Sequence, residues 1–263
     1  MNILINNTGL LEKMSPITLD EMQRVRLMNR VDDKFVAPAS FLRLLLEDIA
    51  PYFRVQANNG KRAALYQTQY LDTPSFDMFV VHHNGKLNRQ KVRIRSYVES
   101  NSSFLEIKNK NNRGQTGKMR IPIPFPSVRS VADLGDDAIR FLDEQTVFDI
   151  SSLTPSLSNR FDRITLVNNE GTERVTIDLN LSFLNHHTGN GMLMDNLMII
   201  EMKQAGRQPS RFRDALRRQR IKPHPFSKYC MGSVLTNPCL KYNRFKNKWI
   251  FINKIIHLTD DSN

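Results

Sequence analysis

Cysteine is scarce: Cys230 and Cys239 are the only two in 263 residues. Two cysteines supply neither a disulfide framework nor a metal-ligand set. No run of about 18 apolar residues exists, so no membrane-spanning helix is expected. The opening MNILINNTGLLEKM lacks the basic start and long apolar stretch of a secretion signal. These absences make the cytoplasm the expected location, with attachment to the inner face of a membrane left open. Acids are nearly missing from one region. Residues 203–254 hold 14 Lys/Arg and one acid, Asp214. The whole chain carries 38 Lys/Arg against 26 Asp/Glu, a net charge of +12. Such an excess implies a polyanionic partner: nucleic acid, an anionic membrane surface or phosphates.

The 40% hydrophobic content is enough for a core. Helical spacing of apolar residues occurs at 37–53 and 208–221, and more weakly at 130–145. The segment 240–257 reads as a last helix or strand. Strand patterns occur at 25–36, 63–71, 77–83, 90–98, 103–110, 117–123, 160–167, 173–181 and 197–204. Many strands with few helices predict an α+β protein built on an antiparallel sheet or barrel. Residues 1–23 are expected as an N-terminal extension and 24–257 as one domain. Its basic segment 239–257 would pack on it, and 258–263 would form a tail.

The strands share one property. KVRIRSY (91–97) puts Lys91, Arg93 and Arg95 on one face and Val92 and Ile94 on the other. FLEIKNK does the same with Glu106, Lys108 and Lys110, and GKMRIPI with Lys118 and Arg120. In VTIDLNL the face holds Asp178 and Asn180, and in IIEMKQ it holds Glu201 and Lys203. A sheet with one solvated face would show alternation too. Closed into a barrel, however, the same faces would line a basic tunnel. Buried like charges need a polyanion, and Arg and Lys suit phosphate oxygens. A few carboxylates among them would suit a hard divalent cation. The pattern predicts a site for a phosphate chain with a metal.

Several segments together resemble the VTC domain, the polyphosphate polymerase domain of the vacuolar transporter chaperone family, within the triphosphate tunnel metalloenzymes. They are RVDDKFV (30–36), YLDTPSFDMFVVHHNGKLNRQKVRIRSY (70–97), FLEIKNKNNRGQTGKMRI (104–121), SNRFDRITL (158–166), RVTIDLNLSF (174–183), LMIIEMK (197–203) and PFSKYCMG (225–232). The resemblance implies an eight-stranded antiparallel tunnel with helices outside. It implies ATP and polyphosphate as partners, Mn2+ or Mg2+ as cofactor, and transfer of the γ-phosphoryl to a growing chain.

By resemblance, Lys34, Arg93, Arg95, Lys108, Lys118 and Arg160 are the phosphate-binding bases, and Arg120 shares their strand face. Lys203 joins the substrate-binding set from the face it shares with Glu201. Glu201 falls on the metal-ligand carboxylate, with Glu106 and Asp178 as further expected ligands. Ser227 and Lys228 fall at the tunnel mouth.

Two departures stand out. Pro225 replaces a lysine, and Ser158 replaces an aromatic two places before the strand arginine. A third position bears on activity. Where related hydrolases carry ExExK, this chain has Arg30, Asp32 and Lys34, which argues against two-metal hydrolysis. A tunnel-fold triphosphatase and a non-catalytic polyphosphate-binding subunit remain the rivals. A membrane-protein partner outside this chain stays open, and no motif points to a specific nucleic acid.

Other features read as structural. His82–His83 and His186–His187, taken as adjacent strand residues, would point to opposite faces. NNRGQTGK (111–118) lacks the Walker spacing and reads as a hairpin turn. The basic run RFRDALRRQR (211–220) is expected as a solvated helix face that could also guide polyphosphate or touch a membrane.

Overall fold

A computed structural model describes residues 7–25, 30–113, 115–125 and 130–257. Eight antiparallel strands run in the order β2-β11-β9-β8-β4-β5-β6-β7. They are β2 (Arg30–Pro38), β4 (Ala64–Asp72), β5 (Arg89–Tyr97), β6 (Ser102–Lys110), β7 (Thr116–Ile123), β8 (Thr154–Asn168), β9 (Glu173–Asn185) and β11 (Leu197–Ala205). Three short strands complete the sheet. β1 (Pro16–Ile17) runs parallel to β3 (Phe53–Gln56), which pairs with β8, and β10 (Gly191–Met194) pairs antiparallel with the end of β9. The stretch expected as an extension thus docks on the sheet, with Leu11 and Ile17 buried.

Alternation decides what each face meets. The outer faces of β2, β8, β9 and β11 bury Phe35, Ile164, Val175, Ile177 and Ile200 against α3 (Leu42–Ile49) and α6 (Arg211–Arg218). Val92, Ile94, Leu105 and Ile107 are buried in one cluster with Ala138 and Leu142 of α5 (Asp136–Gln145). The inner face carries the charges. Lys34 on edge strand β2 and Lys91 on β5 reach adjacent residues of one segment, the Phe226 carbonyl at 3.4 Å and Ser227 Oγ at 2.9 Å, so the sheet curls and its two ends face each other across the interior.

One end of the interior is apolar. Tyr70, Leu157 and Phe183 pack there against α7 (Lys228–Thr236), α4 (Asp77–His83) and α8 (Lys246–His257). Gly232 makes this approach possible. A Cβ at that position would lie 2.4 Å from the Phe183 ring and 2.7 Å from Leu157. Gly232→Ala is therefore expected to cost about 1–3 kcal/mol through overpacking, seen as a lower denaturation midpoint. An unchanged midpoint would mean that α7 is free to shift.

The expected strand at 77–83 is instead the helix α4. Asp72 accepts hydrogen bonds from the Met78 and Phe79 amides, and Thr73 Oγ1 accepts one from the Asp77 amide. These caps satisfy helix-start donors and outweigh the strand-like composition. His82 and His83 therefore project from a helix. His186 and His187 lie in the turn after β9. Each makes packing contacts: His82 Nδ1 lies 3.1 Å from Cys230 Sγ, and His186 Nε2 lies 2.7 Å from Ser158 Oγ. The strand expected at 25–36 is described from Arg30 onward, and 258–263 lie outside the described residues. The turn expected at 111–118 joins β6 to β7, and the segment at 240–257 forms α8.

Candidate anion-binding tunnel

Strand pairing brings the inner charges into rows. Lys91, Lys108 and Lys118 are register neighbours across β5, β6 and β7, as are Arg93, Glu106 and Arg120. On the other wall Lys34 of β2 faces Glu201 of β11, and Lys203 faces Asp32. With Arg95, Arg163 and Lys228, at least ten bases line the interior among the described residues. Among the described residues the inner carboxylates Glu106, Asp178 and Glu201 answer them, with Asp32 at the exposed rim.

Two of the three inner carboxylates are clamped and the third is lightly held. Arg93 donates to Glu106 Oε2 through Nε at 2.8 Å and Nη2 at 2.7 Å, and Lys118 donates to Oε1 at 3.1 Å. Burial alone would raise the Glu106 pKa, but Arg93, Arg95 and Lys118 outweigh it and hold it at about 2. Arg163 grips Asp178 with two bonds of 2.6 and 2.8 Å, and Lys228 donates to the same carboxylate. Burial again acts upward, and Arg163 and Lys228 hold Asp178 well below the usual carboxylate range. Glu201 has the lightest hold, Lys203 Nζ at 3.4 Å. Burial opposes its charge, yet Lys34, Lys203, Arg163 and Lys108 keep it at about 2.

Several interior groups have polar capacity to spare. Arg95 has no carboxylate within ion-pair distance among the described residues. Its Nε meets Thr68 Oγ1 at 3.4 Å, and its guanidinium lies 5.8 Å from the Tyr66 ring centre. Burial and the neighbouring Arg93 and Arg163 push its pKa down. Asn159, directly opposite Thr68, is 4% exposed and neither side-chain amide atom has a partner. Thr176 Oγ1, opposite Glu201, is unpartnered too. Buried polar atoms left open in a cationic cavity are what a bound anion would satisfy.

The start of α7 completes the site. Ser227 is its N-cap, accepting from the Cys230 amide, and also accepts from Lys91 Nζ at 2.9 Å. Lys228 reaches Asp178 across the Phe161 ring, 4.2 Å from its centre. A helix N-terminus aimed among bases adds backbone donors for an anion. Lys34 Nζ, 3.4 Å from the Phe226 carbonyl, ties β2 to the same segment.

Burial lowers the Lys228 pKa to about 8 despite Asp178, and lowers Lys108 to about 8 with help from Lys34 and Arg93. Both lose positive charge as pH rises through about 8, so affinity for triphosphate is expected to fall there. Stability should move the other way. The unfolded lysines keep their protons up to the ordinary value of 10.5, so the unfolded state binds more protons in this window and folding strengthens with pH. Calorimetric titration with tripolyphosphate across this range checks the first effect, and affinity constant to pH 10 would contradict it.

Twelve of the thirteen expected site residues belong to this interior and its α7 mouth. Arg160 does not. It sits opposite Gln67 and Ser182, is exposed, and lines an outer groove of about 190 Å³ on the far side of the sheet. The inward arginine is Arg163, three positions on, with Phe161 two before it. The aromatic missing at Ser158 is thus present in the next repeat of the same spacing. Tyr66, Tyr70, Phe161 and Asn159 also face inward and were not expected as site residues. Tyr66 stacks on Phe161 with 5.4 Å between centres, and Arg163 lies over both rings.

The expected metal set is not gathered into one cluster. No group of three or more His, Cys, Asp or Glu suited to a metal ion occurs among the described residues. Glu106 and Asp178 are each held by two bases. Glu201 alone keeps capacity, and one carboxylate fits a divalent ion that arrives already bound to phosphate oxygens.

A curled antiparallel sheet with a cationic interior, a few clamped carboxylates and a helix start at its mouth defines an α+β tunnel protein. The VTC domain model matches residues 29–237, and the chain belongs to the VTC domain family. No curated protein matches the chain. Among solved structures, it is similar to a candidate adenylyl cyclase from Hippeastrum described as having a dominant triphosphatase activity. The identity is 18% and the TM-score 0.49, covering 79% of this chain and 96% of that one. A candidate adenylate cyclase from Vibrio parahaemolyticus is 12% identical with a TM-score of 0.44, covering 78% and 99%.

Proposed function

We propose that the chain is an ATP-dependent polyphosphate polymerase. The observation that carries this reading is the charge balance inside the tunnel: at least ten bases among the described residues, with Glu106 and Asp178 already clamped by bases. Hydrolysis needs a group to activate water. Glu106 and Glu201, held at about 2, are poor proton acceptors at neutral pH. A terminal phosphate of a growing chain is already anionic and needs no such base. Charge neutralisation and in-line positioning then do the chemistry.

Arg93, Arg95, Arg163, Lys91 and Lys108 would hold the triphosphate and the incoming chain end to end. An acceptor oxygen forms a bond to the γ-phosphorus as the β–γ bridge bond breaks, and ADP leaves with the bridging oxygen and its electron pair. Glu201 would hold Mn2+ or Mg2+ carried on the phosphates, which supplies further charge neutralisation. ATP and polyphosphate are the partners this reading requires.

Purified protein given ATP and Mn2+ should form acid-insoluble polyphosphate and ADP, and a chelator should stop it. Orthophosphate released from tripolyphosphate without polymer would assign the tunnel to a triphosphatase. Binding without turnover would make it a polyphosphate-holding subunit.

A further inference from the structure

Outside the tunnel, the basic C-terminal region divides into two unlike surfaces. The charges of α6 are matched. Arg213 pairs with Asp33 at 2.7 Å, Arg218 with Asp48 at 3.1 Å and Arg217 with Asp214 at 3.5 Å, while Arg211 lies over the Tyr52 ring. The helix 211–218 is therefore a poor docking surface. The region of α8 is different. Lys241, Arg244, Lys246, Lys248 and Lys254 have no carboxylate within ion-pair distance among the described residues, and 241–257 contain no acid.

The helix buries Phe245, Ile252 and Ile255 and turns Lys246, Asn247, Ile250, Phe251 and Lys254 outward. That spacing is one helix face. Ile250 and Phe251 are each 37% exposed, and Tyr242 just before the helix is 47% exposed. Phe251 is held by stacking on His224, with 4.2 Å between ring centres. A held aromatic and an isoleucine, bracketed by lysines, stand out into solvent on one side of the domain.

We propose that this face of α8 rests on an anionic lipid bilayer, with Ile250 and Phe251 inserted at the headgroup boundary and Lys246 and Lys254 on the lipid phosphates. A soluble polyanion would neutralise the lysines but leave both apolar side chains in water. A bilayer surface accommodates both features.

Trp249, the only tryptophan of the chain, lies on this helix and reports directly. The full chain should co-sediment with vesicles containing phosphatidylglycerol but not with phosphatidylcholine alone, with a blue shift of Trp249 emission. The double variant Ile250→Ser, Phe251→Ser should lower the partition coefficient about tenfold, and Lys246→Glu with Lys254→Glu by a similar factor. Unchanged tripolyphosphate binding by both variants would show that the tunnel is intact. No partition onto anionic vesicles overturns the proposal. So does partition that the serine variant keeps in full, which would make the surface a site for charge alone. Self-association lost in the serine variant, without vesicle binding, would assign the face to a second copy of the chain.

Discussion

Asp178→Ala should be the most damaging single change in this protein, costing about 3–5 kcal/mol of stability. Asp178 is 3% exposed and answers two buried cations, Arg163 and Lys228. Removing it leaves both charges in a poorly solvated interior with Arg95 alongside. For a chain of this size the loss corresponds to a fall in Tm on the order of 10 °C. Adding Arg163→Met should recover part of the loss, because the pair and not the carboxylate alone sets the cost. Differential scanning calorimetry of the single and double variants decides it. A Tm within a degree or two of the parent would mean that water reaches the pair and that the tunnel is more open than its geometry indicates.

Arg95→Met should do the opposite. It is expected to weaken tripolyphosphate binding about tenfold to a hundredfold, the range for losing one charge-assisted contact to a phosphate. Stability should be kept or improved, since Arg95 has only Thr68 and the Tyr66 face as partners and is repelled by Arg93 and Arg163. Arg93, two residues away on the same face, should not behave this way. Its removal strips Glu106, fully buried, of a partner that donates twice to Oε2. Arg93→Ala should therefore lose both binding and stability. Two arginines that alternation makes equivalent are separated by what lies across from them. Calorimetric titration together with thermal melts measures both quantities. Equal stability losses in the two variants would show that Arg95 has a structural partner after all.

The charged inner face was legible in the sequence because a strand has a period of two. KVRIRSY, FLEIKNK and IIEMKQ each announce an inner and an outer side, and the structure puts Val92, Ile94, Leu105, Ile107 and Ile200 outside and the charges within. Two features were not legible. The helix at 77–83 depends on Asp72, whose carboxylate reaches the amides of residues six and seven positions later. The choice between Arg160 and Arg163 depends on strand parity, and the pairing of β8 with β9 carries a register shift between Arg160 and Asp162. Both arginines lie in one short polar segment, and only the pairing partners tell which faces in.

The amino-acid sequence by itself determined that the chain builds an antiparallel sheet with one cationic face, since side-chain alternation is a local property of extended backbone. Only the tertiary structure decided which cations are free. Arg93, Arg163 and Lys228 are tied to carboxylates from other strands, while Arg95 and Asn159 are left with capacity to spare. That division depends on distances of a few ångströms between segments far apart in the chain, set by how the sheet curls and where α7 enters it.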